Sequence, residues 1–260
     1  MCADWNPALY RRFEDERTRP ARDLLANVPL AKATHVVDLG CGPGNSTELL
    51  VTRFPGASVV GTDNSDAMLA SARERLPQCR FELSDVSTWQ PTMPPDLIFA
   101  NAVLQWVPDH ERLLPRLLSA LAPGGVLALQ MPDNLDELTH QLMREVAAES
   151  PWAAVIGDAS RVRERVRSST EYYDLLARHG AQVEIWRTVY LHPLNSPAAI
   201  VDWVSATGLR PFLDPLSDEL RQSFLLEYEA RIARAYPAQI DGRSLLPFPR
   251  LFVVARCLLC

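Results

Sequence analysis

The stretch VVDLGCGPGNSTELL, Val36–Leu50, joins a β-branched apolar run to a helical pattern through Gly40, Gly42 and Gly44. A strand that passes through a glycine loop into a helix offers bare backbone N–H groups to a nucleotide-like ligand. The dinucleotide fingerprint, however, is G-x-G-x-x-G, with a pyrophosphate resting on the helix N-terminus. Here the third glycine comes one residue early. Asp38 also stands two positions before the first glycine, where a carboxylate repels phosphate and tolerates a cation. The loop therefore departs from the pyrophosphate pattern and would tolerate a cationic ligand. A tight structural turn is the plain alternative.

Outward from the loop, strands and helices alternate. HVVDL, SVVGTD, CRFELSD, DLIFAN and GVLALQM read as strands. Helical patterns lie between them, one with Asn45-Ser46-Thr47 as capping side chains, one capped by Ser65, and one in HERLLPRLLSAL. Repeated β-helix-β units predict an α/β fold, a mostly parallel sheet with helices on both faces, and a ligand beyond the carboxyl ends of the strands. After Met131 come a helix in LDELTHQLMREVAAE and an irregular stretch from Ser150 to Ser169 with arginines at 161, 163, 165 and 167. A helix ending on Gly180 follows, then the strand VEIWRTVYL, a helical segment from Pro197 to Tyr236 and a last strand, LFVVAR. The expected organisation is a single domain over 1–260. It comprises an N-terminal helix or lid at 1–30, a cofactor-binding core at 31–135 and a helical cap at 193–245 inserted before the last strand.

Bulk properties exclude several function classes. The chain has 260 residues, 47% hydrophobic and 22% charged, enough for one large core. A net charge of −6 argues against a nucleic-acid surface built on bulk positive charge. No apolar run approaches a membrane span, and the first residues lack the apolar segment of a secretory signal. Cys2, Cys41 and Cys79 are scattered, and an odd total of five suits a reducing compartment, so a cytoplasmic protein is expected. Cys257 and Cys260 form a lone C-x-x-C, expected to be a frayed tail and not a metal site.

Acids recur at the strand ends. Asp63 closes the second strand where an acid grips ribose hydroxyls, and a carboxylate suits a vicinal diol because it accepts two hydrogen bonds. The pattern D-x-G-x-G-x-G from Asp38 to Gly44 resembles the first motif of the class I S-adenosylmethionine-dependent methyltransferases, which have a Rossmann-like fold with a seven-stranded sheet. That resemblance implies S-adenosylmethionine as cofactor. It places Asp85 of ELSDV near the adenine amino group and Asn101 of IFANAVLQWV near the methionine end, with Gln105 and Trp106 in contact with cofactor or acceptor. Met68 fits packing against adenine or plain core packing, and Trp106 fits loop anchoring equally well.

The segments DWNPALYRRFEDERTRPARDLL, FANAVLQWVPDH, LQMPDN, VDWVSATGLRPF and LPFPRLF extend the likeness from Asp4 to Arg256. Together they resemble the bacterial trans-aconitate 2-methyltransferase family. The resemblance implies esterification of a tricarboxylate, an acceptor already ionised at neutral pH that needs no general base. The absence of a Ser-His-Asp or Cys-His constellation agrees, and no catalytic side chain and no metal are expected. His110 and His140 read as capping or packing residues. Arginines should hold the spectator carboxylates, and Arg187, Arg210 and Arg250 are the candidates, each with a surface ion pair as the plain alternative. Tyr10, with Trp5 and Phe13, would put an aromatic edge over the site if the N-terminal segment folds back; otherwise these rings staple that helix to the core. The nearest alternative is a methyltransferase of the same fold acting on another small polycarboxylate or a hydroxylated metabolite. Three other readings carry less. A nicotinamide oxidoreductase needs the later glycine, a nucleic-acid methyltransferase needs an Asn- or Asp-Pro-Pro-aromatic signature after strand four, and a non-catalytic cofactor-binding protein should show a decayed motif.

Overall fold

The computed structural model describes residues 14–162, 165–205 and 207–258. Tyr10, Trp5, Phe13, Cys2, Arg163 and Cys260 lie outside the described residues. The strands are β1 (His35–Leu39), β2 (Ser58–Asp63), β3 (Arg80–Leu83), β4 (Leu97–Asn101), β5 (Val126–Pro132), β6 (Ala181–Leu194) and β7 (Ser244–Cys257). They form one seven-stranded sheet in the order β3-β2-β1-β4-β5-β7-β6. The helices are α1 (Glu14–Ala26), α2 (Asn45–Arg53), α3 (Asp66–Arg75), α4 (His110–Ser119), α5 (Leu138–Ala147), α6 (Ala153–Ile156), α7 (Ser169–Arg178), α8 (Pro197–Ser205), α9 (Arg210–Leu213) and α10 (Asp218–Ala235).

The pairs β3-β2, β2-β1, β1-β4 and β4-β5 are parallel, and β5-β7 is antiparallel. The chain moves outward from β1 to β3 and then returns to β4 on the other side of β1, so strand order reverses beside the glycine loop. β4 is apolar up to Asn101 and β5 is buried throughout, as strands covered on both faces must be.

The chain divides into two compact units. The first holds the described residues up to Pro132, Val166–Arg187 and those from Arg250 on. Its core packs Leu39, Ile98 and Leu129 of the sheet against Leu114 and Leu117 of α4 and Tyr172 of α7. The alternation of leucines at helical spacing in α4 is what turns that face inward.

The second unit holds Asp133–Arg165 and Thr188–Pro249. It contains all of the 193–245 segment and, in addition, α5 and α6, because α5 packs on α10. Trp203, Phe224 and Tyr228 are fully buried in it, and Trp152 meets Phe224 edge-on at 5.6 Å between ring centres. Two structural differences from the sequence reading stand out. The stretch from Ser150 contains α6 and a 3-10 turn at Ala159–Arg161. The last strand is longer than LFVVAR, and Cys257 is its final residue, donating its N–H to the Gly125 carbonyl at 2.9 Å, so it is not a frayed tail. Among the described residues no helix is long and apolar enough to cross a membrane.

Candidate active site

The three glycines serve different ends. Gly40, Gly42 and Gly44 have φ of 67°, 55° and 91°, a region that side chains disfavour. A Cβ at Gly40 would stand 2.3 Å from Val103 Cγ2, so this glycine lets the chain after β4 close on the loop. A Cβ at Gly42 would meet nothing within 4 Å, so this glycine bares backbone toward open space. Gly44 is the left-handed N-cap of α2.

The capping role expected of Asn45-Ser46-Thr47 is not what the structure has. The hydroxyls of Ser46 and Thr47 both donate to Asp38 Oδ2 at 2.7 Å. Asp38 is fully buried and takes the nearest donors to offset the cost of desolvation. Burial still pushes its carboxyl up to about 6, with Thr47 and Ser46 pulling down and Asp63 adding to the rise. Asn45 Nδ2 donates to Thr18 Oγ1 at 3.2 Å, which staples α1 to the start of α2. Burial, with Asp38 and Asp63 near, raises the Cys41 thiol and makes it a packing group.

Asp63 joins the second strand end to the same loop. Its Oδ2 accepts the Gly42 N–H at 2.9 Å and its Oδ1 the Ser65 N–H at 3.0 Å. A carboxylate oxygen can accept more than one hydrogen bond, so the bonds of Asp63 to this backbone are compatible with a ribose hydroxyl beside them. Ser65 caps α3 by accepting the Met68 N–H, and Met68 is buried. Asp85 is exposed; its Oδ1 accepts the Ser87 hydroxyl and N–H at 2.6 and 2.7 Å, which hold the carboxyl below its ordinary range.

At the end of β4, Asn101 is followed by Ala102 at φ 56°, a strained position for a side-chain-bearing residue. The Ala102 N–H donates to the Gln130 carbonyl at 2.8 Å, and its own carbonyl accepts Gln105 Nε2 at 2.6 Å. Trp106 ends a short 3-10 turn and is exposed. Asp38 Oδ1, Thr62 Oγ1, Asn101 Oδ1, Gln105 Oε1 and Gln130 Nε2 are all buried with no hydrogen-bond partner. Each such atom costs about 1–3 kcal/mol. Their concentration at the carboxyl ends of β1, β2, β4 and β5 and the turn after β4 fits a polar ligand that satisfies them. The set is rich in acceptors and suits a ligand bearing hydroxyl and amino groups, as S-adenosylmethionine does.

Thr62, Ala102 and Gln130 do not stand out in the sequence as site residues. Gln130 carries the one available signal, because it is the only polar side chain in the strand VLALQMP.

Of the candidate arginines, Arg250 is buried and its Nη1 donates to Gln130 Oε1 at 3.4 Å. The β5-β7 register sets it opposite Pro132, at the strand end that carries Gln130. Arg187 is exposed on β6. Arg210, in the second unit, lies 3.9 Å from Asp214. His110 is clamped, with Nδ1 at 2.7 Å from the Tyr172 hydroxyl and Nε2 at 2.9 Å from the Leu104 carbonyl, so both ring nitrogens serve packing.

Strand order, glycine loop and strand-end acids define a class I methyltransferase with a Rossmann-like fold. A family model described as a methyltransferase domain matches residues 36–125. The YcgJ protein of Bacillus subtilis shares the fold, with a TM-score of 0.60 at 12% identity over 93% of this chain and 99% of that one. The trans-aconitate 2-methyltransferase of Variovorax paradoxus is 66% identical over 97% of this chain and 98% of its own length. That of Yersinia pestis is 58% identical over the same shares, 97% and 98%. The chain belongs to the trans-aconitate 2-methyltransferase family.

Proposed function

We propose that this enzyme transfers a methyl group from S-adenosylmethionine to a carboxylate of trans-aconitate, giving a monomethyl ester. The observation that carries the reading is 58–66% identity along almost the whole chain to relatives of that name. When bound, S-adenosylmethionine supplies an electrophilic methyl group on a sulfonium.

Asp63 would hold the ribose hydroxyls, Asp85 the adenine amino group, and Asn101, Gln105 and the glycine-loop backbone the amino-acid end. Met68 and Trp106 would supply apolar contact, and Asp38 a compensating negative charge. On the acceptor side Arg250 would anchor a spectator carboxylate, and Arg187, Arg210 and Tyr10 complete the candidate set. Arginine should stay off the attacking oxygen, because neutralising that oxygen blunts it. No side chain is needed as a base, since the acceptor's carboxyl groups, with ordinary values of about 4, are already ionised at neutral pH. The engagement of both His110 nitrogens is consistent with this. The task of the chain is then to position the oxygen and exclude water. A cytoplasmic location without nucleic-acid partners belongs to the same reading and rests on charge and cysteine usage.

The test is a mass-resolved assay with trans-aconitate, citrate, cis-aconitate and isocitrate in competition. The expected product is a single monomethyl ester, drawn chiefly from trans-aconitate. Faster esterification of another acid would move the assignment to that acid. Cofactor binding with no ester would remove it.

A further inference from the structure

The second unit has a half-open cavity of about 720 Å³ whose wall includes His140 and Arg144 of α5, Ser160, Arg161, Arg165 and Gly208. Its size falls within the span of small-molecule sites. Among the described residues the wall carries three guanidinium groups and an imidazole and has no carboxylate. Of the arginine-rich stretch, Arg161 and Arg165 line this cavity, whereas Arg167 turns to Glu111 and Glu171 in the first unit.

The guanidinium groups are held but not consumed. Arg144 spends one N–H on the Leu135 carbonyl at 2.9 Å. Arg161 lies 3.3 Å from Asp158, and both side chains are more than half exposed. Arg165 grips Asp136 end-on through both terminal nitrogens, one of them at 2.7 Å from Oδ1. Ion pairs this exposed are worth little, so an incoming anion can displace them. Asp136 also shows the mode of capture, a planar carboxylate met by a planar fork. His140 is buried, its Nδ1 within 3.1 Å of Thr139 Oγ1. A Cβ at position 208 would come 2.8 Å from His140 Nε2, so the glycine there makes room for the imidazole.

We propose that this cavity binds a small di- or tricarboxylate anion through Arg144, Arg161 and Arg165. The site is read from its own wall; only the choice of trans-aconitate as first probe rests on the proposed methyl transfer.

Calorimetric titration of the full chain tests it, with trans-aconitate, its saturated analogue tricarballylate and inorganic phosphate as probes. Each titration is run with and without S-adenosylhomocysteine, which prevents turnover. Wild-type protein should bind both tricarboxylates, and phosphate more weakly. The Arg161→Gln/Arg165→Gln double variant and Arg144→Gln should each lose about tenfold or more in tricarboxylate affinity. An unchanged melting temperature and far-ultraviolet circular dichroism spectrum verify their folding. Folded variants that bind the acids as tightly as wild type overturn the proposal, as does phosphate binding equal to that of the tricarboxylates. If those variants also keep the wild-type KM, the cavity assignment falls and the methyl-transfer reading stands. If the variants lose tricarboxylate binding and the wild-type protein makes no ester, the cavity assignment stands and the methyl-transfer reading falls.

Discussion

At the scale of single residues, the loop glycines separate stability from binding. Gly40→Ala must displace Val103, whose Cβ and Cγ2 lie 2.5 and 2.3 Å from the new atom, in a backbone with φ of 67°. We expect it to destabilise the protein by about 2 kcal/mol or more. Gly42→Ala meets nothing and carries only the backbone cost of about 1 kcal/mol. It should instead lower S-adenosylmethionine affinity, because its methyl group projects into the open space of the loop. Chemical denaturation and cofactor titration of both variants check the contrast, and equal effects on both readouts would defeat it. Asp38 supplies a pH signature. Its folded carboxyl titrates at about 6, above an unfolded value of about 3.9. Between those values the folded state keeps a proton that the unfolded chain releases. The contribution of Asp38 to stability therefore falls as pH rises through that window and stays at its lowest above it. Asp38→Asn should gain on wild type in denaturation midpoint from pH 4.5 to 7, both values set by that window of about 4 to 6; a constant difference across that range would count against the assignment.

At the scale of elements, helix ends and inter-helix hydrogen bonds set what each unit gains from its local sequence. α7 opens with a full capping box, Ser168 and Glu171 each bonding the other's backbone. In the second unit the Tyr228 hydroxyl donates to the Thr139 carbonyl at 3.1 Å, and the Thr139 N–H donates to the Tyr236 hydroxyl at 3.1 Å. These bonds tie α10 and the residue after it to the first turn of α5. Tyr228→Phe should cost about 1 kcal/mol, a fall in Tm of about 2 °C for a chain this long. Cofactor affinity should be unchanged, because the residues proposed to hold the cofactor belong to the first unit. A scan with and without S-adenosylhomocysteine measures both at once.

At the scale of the whole molecule, a net charge of −6 sets the problem of admitting a polyanionic acceptor. Screening confines surface charge to about 8 Å at physiological salt, so local guanidinium groups and not the overall balance decide binding. Since the acceptor arrives ionised, kcat should be flat from about pH 6.5 to 8.5. A rate that climbs through that range would signal a titrating base and would remove the base-free mechanism.

The strands β1, β2, β4 and β5, the glycine loop and the strand-end acids are legible in the sequence, because period and turn chemistry are local properties. Asp63 and Asn101 can be placed at strand ends by counting alone. What counting cannot supply is partnership. Ser46 and Thr47 look like helix caps, and only the closed fold shows that a buried carboxylate takes their hydroxyls. Gln130 meets Arg250, 120 residues away, because β7 enters antiparallel beside β5. Arg144, Arg161 and Arg165 share a wall with Gly208 through chain reversals that no local pattern records. Local propensity determines which way a segment curls. Which side chains face one another is decided by burial, since each desolvated polar group must find whatever partner the packed chain brings to it.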